Sequence, residues 1–83
     1  MKVPVKLVQK AAIEIPVRSE FIRLDAFLKL VNAVESGGQA KVAIQEGRVR
    51  VNGEVCAQRG KKLHPGDVVR FAGESYIITE DKV

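Results

Sequence analysis

From Leu24 onward, apolar and polar positions change their period at Gly47. Between Leu24 and Gly47 the spacing is helical. Leu24, Phe27, Leu28 and Val31 fall at i, i+3, i+4 and i+7, which makes one apolar stripe. The spacing predicts a first helix that starts near residues 22–24 and ends near Asn32. Asp25 then sits in the first turn, where the helix dipole favours an acid. Ala40, Ala43, Ile44 and Gly47 repeat the stripe, and three of these four are small, so a second helix can lie close against the first. Ser36 and Gln39 stand three apart, as a capping box requires, and Gly47 fits a left-handed stop. Gly37 and Gly38 in the first turn weaken such a helix by roughly 1 kcal/mol each. They either let backbone N–H groups approach a phosphate or form a flexible loop between the helices.

After Gly47 the period is two. Arg48-Val-Arg-Val51 alternates charged and apolar side chains and predicts a strand with both arginines on one face. Asn52-Gly53 is the strongest short hairpin signal, because a type I′ turn needs positive φ at both positions. Glu54-Val-Cys56 is the expected partner strand. Ala57 to Lys62 reads as a basic loop and His64-Pro-Gly-Asp67 as a turn. Val68 to Phe71 reads as a strand, Ala72-Gly-Glu-Ser75 as a turn, Tyr76 to Thr79 as a last strand, and Glu80 to Val83 as a polar tail. Upstream, Ile13, Ile15 and Val17 alternate with Glu14, Pro16 and Arg18, and Pro16 restricts that strand to a sheet edge. Residues 1–10 are a further extended segment or a loose tail. The expected class is α+β: two helices packed on a small, mainly antiparallel sheet.

Composition adds location to this picture. The chain has 83 residues, 46% of them apolar, which suits one globular domain. The net charge is +4. From Gln39 to Lys62 there are six basic residues (Lys41, Arg48, Arg50, Arg59, Lys61 and Lys62) against Glu46 and Glu54, so this window carries the entire excess. Such asymmetry points to an anion-binding surface. No apolar run approaches the about 18 residues of a membrane span. The N-terminal valines are interrupted by Pro4, Lys6, Gln9 and Lys10, so no signal peptide is expected. The single cysteine, Cys56, excludes an internal disulfide and fits a reducing cytoplasm. One Cys and one His exclude a zinc site, and no nucleophile–base set can be assembled, so no cofactor and no enzyme activity is expected. His64 and Asp67 read as turn residues, Cys56 as a small core residue. The few aromatics fall mostly in apolar patterns, against a base-stacking platform.

The motif order resembles a known family. Ile22-Arg-Leu-Asp25, then Ser36, Ala40-Lys41, Ile44 and Gly47-Arg-Val-Arg-Val-Asn-Gly53, then Leu63-His-Pro-Gly-Asp-Val68, is similar to the RNA-binding domain of the ribosomal protein S-four family. The match runs from about residue 22 to 71. The short length and the Ser-Gly-Gly-Gln-Ala-Lys run are most similar to its YbcJ-type stand-alone bacterial members. The resemblance implies the alpha-L two-helix motif, with residues 1–20 as an N-terminal extension and 21–83 as the domain. It implies a surface that docks on structured RNA, ribosomal RNA or the ribosome. The contact positions would be Ser36, Gly38, Gln39, Lys41, Arg48, Arg50 and Asn52, flanked by Lys61 and Lys62, with Arg23 a lesser candidate. Family members often carry an arginine directly after the serine. Gly37 stands there instead, which removes one implied phosphate contact and leaves room for a protein-recruiting adaptor on the same fold. A monomer is the default expectation.

Overall fold

The computed structural model describes residues 12–81. Residues 1–10, and with them the choice between strand and tail, lie outside the described residues. The elements are β1 (Ile13–Val17), β2 (Ile22–Arg23), α1 (Leu24–Leu30), α2 (Gly37–Gln45), β3 (Arg50–Val51), β4 (Glu54–Val55), β5 (Lys62–Leu63), β6 (Val68–Phe71) and β7 (Glu74–Glu80). Five strands form a sheet in the order β1-β7-β6-β3-β4, and β2 pairs with β5 in a second, two-stranded ribbon. Every pairing is antiparallel except that of β1 with β7. The expected α+β class is the one observed, and β1 lies at the sheet edge as Pro16 requires.

Both predicted stripes are the buried ones. Leu24, Phe27 and Leu28 of α1 are fully buried, as are Ala40 and Ile44 of α2. A helix of seven residues is too short to persist on propensity. Burying each large apolar side chain contributes about 1.5–3 kcal/mol, so packing is what holds α1 in place. Phe27 meets Tyr76 of β7 edge-on, with ring centroids 5.8 Å apart, which fixes α1 over the sheet. Tyr76 shares its sheet face with Val69 and Val51 through direct register. That face, with Ile78 and Val17, is covered by the helices; the opposite face points away from them.

Both helices end in the same way. Gly47 N–H donates to the Ile44 carbonyl and Arg48 N–H to the Ala43 carbonyl, a complete Schellman motif with Gly47 at φ +77°. In α1 the equivalent bonds run from Asn32 to Lys29 and from Ala33 to Leu28, with Asn32 at φ +59°. Their starts differ. Ser36 Oγ accepts the Gln39 N–H at 3.2 Å, and Gln39 Oε1 accepts the Glu35 N–H at 2.7 Å, a capping box displaced by one residue. Arg23 offers α1 no side-chain cap. The first N–H groups of α1 go instead to the carbonyls of Lys61 (2.9 Å) and Arg59 (3.2 Å), in a segment far away in sequence.

Several expected boundaries move. β3 begins at Arg50, not Arg48, because the Arg48 N–H is already committed to the helix exit. β4 stops at Val55, although the Cys56 N–H still reaches the Val49 carbonyl at 3.0 Å. The expected four-residue turn at 72–75 is a two-residue one. Ala72 (φ +54°) and Gly73 (φ +82°) form it, which lets β7 start at Glu74 and run through Glu80. At the end of the expected basic loop, Lys62 pairs into β5 with Leu63, which is fully buried against the core.

The left-handed conformation costs an L-residue with a Cβ about 1–2 kcal/mol. Ala72→Asn, which recreates the Asn-Gly pair of the first hairpin, is therefore expected to raise stability by about 0.5–1 kcal/mol in urea unfolding. Gly47→Ala is expected to lower it by about 1–2 kcal/mol. Its new methyl would meet Val55 at an ordinary 3.6 Å, so the loss comes from the backbone alone.

Candidate functional site

The α2 N-terminus is the centre of the candidate surface. Ser36, Gly38, Gln39 and Arg48 line one open groove of about 520 Å³ together with Val34, Val42 and Phe71. Arg23, Asp25, Lys29 and Gly37 line a smaller groove beside it, of about 210 Å³. Gly38 lines the first groove and Gly37, its neighbour in the chain, lines the second. A Cβ on Gly37 would meet nothing within 4 Å, and one on Gly38 only Ser36 Oγ at 3.7 Å. Protein packing does not call for glycine at either position. What glycine provides is open backbone in the first turn of a helix, where N–H groups point outward. This resolves the sequence alternatives: the pair belongs to the helix rather than to a loop.

Lys41 stands three and four residues beyond Gly38 and Gly37, on the same helical face. It is exposed and makes no ion pair among the described residues. Arg48 is exposed and reaches Glu46 at 3.1 Å, an exposed pair of small energetic worth that a stronger anion can displace. Arg23 is held by Asp25 at 3.0 Å, and register places it directly opposite Lys62. Lys62 Nζ lies 4.8 Å above the half-exposed Phe21 ring, which in turn contacts His64. Phe27, Phe71 and Tyr76 are buried, so among the described residues Phe21 is the one aromatic side chain at the surface.

Two sequence expectations about the site change. Arg48 and Arg50 do not work as one strand face. Arg48 belongs to the helix exit and lines the α2 groove, whereas Arg50 lines a separate groove with Gly53, Val68, Arg70 and Ser75. Asn52 lies at a fourth groove with Lys61, but its side chain is committed internally. Asn52 Oδ1 accepts the Val68 N–H at 2.9 Å, and Nδ2 donates to Asp67 Oδ1 at 3.1 Å. Asp67 Oδ2 accepts the His64 N–H at 2.7 Å. The tip of the first hairpin is thereby tied to the Pro-Gly-Asp turn. Lys29 and Arg70 join the cation set without having been nominated from the sequence. Lys29 carried a signal, a basic residue off the apolar stripe one turn after Asp25. Arg70 carried none.

Burial alone would raise the Asp67 pKa. The His64 N–H, the Asn52 amide and the charges of His64 and Lys61 outweigh it and hold the carboxyl below its ordinary 3.8. Among the described residues no group of three or more His, Cys, Asp or Glu could hold a metal ion.

The S4 domain family matches the chain over residues 15–79. This chain belongs to the S4 family, in its YbcJ-type branch. A Bacillus subtilis (strain 168) relative, RlbA, provisionally named a ribosome maturation protein, is 46% identical over 59 residues, covering 71% of this chain and 83% of RlbA. Escherichia coli (strain K12) YbcJ, provisionally named an RNA-binding protein, is 46% identical over 54 residues, 65% of this chain and 77% of YbcJ. The solution structure of E. coli YbcJ, described as revealing an alpha-L motif involved in RNA binding, superposes with a TM-score of 0.60 at 33% identity. It covers 95% of this chain and 99% of that one. The helix pair of this S4 chain is thus the alpha-L motif.

A depressed folded-state pKa makes the Asp67 contribution fully present above the unfolded-state value and lost as pH falls through the folded value. Stability of the wild type is therefore expected to decline on acidification below about pH 4, and Asp67→Asn to flatten that decline, as read by urea midpoints across pH 2–6. Asn52→Ala is expected to cost about 1–3 kcal/mol at neutral pH, since it strands the Val68 N–H and the Asp67 carboxylate.

Proposed function

We propose that this protein is a non-catalytic RNA-binding protein that docks the α2 N-terminal surface on structured RNA, with ribosomal RNA the expected target. The observation that carries this reading is a pair of grooves lined by neighbouring glycines, Gly38 with Arg48 in one and Gly37 with Arg23 and Lys29 in the other, with exposed Lys41 one helical turn on. Open helix N–H groups and nearby cations suit phosphate oxygens. RNA duplexes hide base edges in a deep major groove, so a surface of this kind reads phosphates, 2′-hydroxyls and shape. The provisional names of RlbA and YbcJ support the same partner and, through RlbA, the ribosome. The proposal includes a monomer acting in the cytoplasm, on the strength of the lone Cys56 and of the RNA partner. Lys62 flanks this surface on the ribbon formed with β2, opposite Arg23, and Lys61 directly precedes that ribbon.

Titration of purified ribosomal subunits and a structured RNA hairpin across a salt series tests the proposal. With about four phosphates neutralised, log K is expected to fall with log salt at a slope of roughly −3 to −4. Lys41→Glu with Arg48→Glu should abolish binding without unfolding the chain, because both side chains are exposed. Unchanged affinity would remove this surface from consideration. Binding that survives nuclease treatment and depends on a protein would favour an adaptor instead. Gly38→Ala separates fold from function: helix propensity predicts a gain of up to about 1 kcal/mol in stability, while the added methyl obstructs the groove and weakens RNA binding.

A further inference from the structure

Two of the arginines that the α2 surface does not use stand together on the sheet. Arg50 on β3 and Arg70 on β6 are directly opposite each other in the antiparallel register. Both are exposed, and both lie on the sheet face turned away from the helices, since their neighbours Val51, Val69 and Phe71 face the core. Like charges set directly across a ladder destabilise the pair. Among the described residues neither arginine forms an ion pair. Arg50 Nη1 donates to the Gly53 carbonyl at 3.3 Å, and no acidic side chain lines their groove. That groove, of about 360 Å³, adds the Ser75 side chain and the Val68 stem and shares no lining residue with the α2 grooves. A local repulsion kept without a structural return marks a site that an anion completes. Two guanidinium forks side by side offer paired donors to phosphate oxygens.

We propose that Arg50 and Arg70 form a second phosphate-binding site, on the outer face of the sheet, that grips an RNA backbone segment different from the one held at α2. The domain then contacts RNA from two sides of its sheet and bridges two strands or two helices of a folded RNA. This inference rests on the RNA-binding reading above and adds a second contact to it.

The test compares Arg50→Gln and Arg70→Gln with Arg48→Glu, on a single hairpin and on a folded RNA in which two helices lie side by side. Each glutamine variant is expected to weaken binding to the folded RNA about tenfold and to reduce the salt slope by roughly 0.7–0.9. The single hairpin should lose much less. Thermal unfolding of the free protein should be unchanged or higher in both variants, because a like-charge pair is relieved. Arg70→Lys should recover part of the affinity by charge without the fork geometry.

If the wild type binds no RNA, the general reading fails and this one with it. If the wild type binds and Arg48→Glu weakens it, while both glutamine variants keep wild-type affinity and slope, the second site is wrong and the first stands. A fall in melting temperature that accounts for the lost binding would make the pair structural and overturn the proposal. Side-chain Nε–H NMR signals of the two arginines supply the last arm. Equal shifts with inorganic phosphate and with RNA, at matched phosphate concentration, would assign the site to free anions and overturn the bridging role.

Discussion

The left-handed turn at Gly47 is the constraint on which the rest of the molecule depends. Within three residues the chain must close α2, reverse direction and insert Val49 into the core. The two Schellman bonds to Ile44 and Ala43 do this with φ at +77°, and both flanking anchors, Ile44 and Val49, are fully buried. Side chains in a strand alternate, so a slip of one residue here would turn Val51 outward and Arg50 inward. Every register downstream, from β3 to β6 to β7, inherits the position set at this junction. The small residues Ala40 and Ala43 serve the same end, because they bring α2 close enough to α1 for that exit to point at the sheet.

Several of the basic positions are held by backbone rather than by counter-charges. Arg59 and Lys61 lend their carbonyls to the first N–H groups of α1, and Lys62 sits in a two-residue ribbon opposite Arg23. The hairpin tip is tied to the next turn by Asn52 and Asp67. Lys41 and Arg70 make no ion pair among the described residues, and the pairs made by Arg23 and Arg48 are at the surface. Holding cations through their main chain costs little desolvation and leaves the charged ends free. It also spares an anionic ligand the ordering of loops on arrival, which is the usual loss in binding. Structure and proposed function meet here: the elements that fix the fold present the charge.

The stripes of α1 and α2, the Ser36 cap, the Gly47 stop and the Asn52-Gly53 turn were all legible in the sequence. Each rests on periodicity or on a φ demand within about five residues. So was the concentration of positive charge between Gln39 and Lys62. The β2–β5 ribbon was not legible, because strands of two residues carry no period. The α1 start was misleading for a related reason: its orphan N–H groups are satisfied by residues 59–61, and no local cap announces that.

The division at the site follows the same physics. Sequence by itself determined which residues are charged and which helix end is open, since composition and capping are local properties. Only the tertiary structure decided how those charges are grouped. Alternation placed Arg48 and Arg50 together on paper, yet the helix exit claims Arg48 and the ladder gives Arg50 to Arg70, twenty residues later. Pairing across a sheet depends on the register between distant segments. That register is set by burial of Val49, Val51 and Val69 in one shared core, and burial is a property of the whole fold.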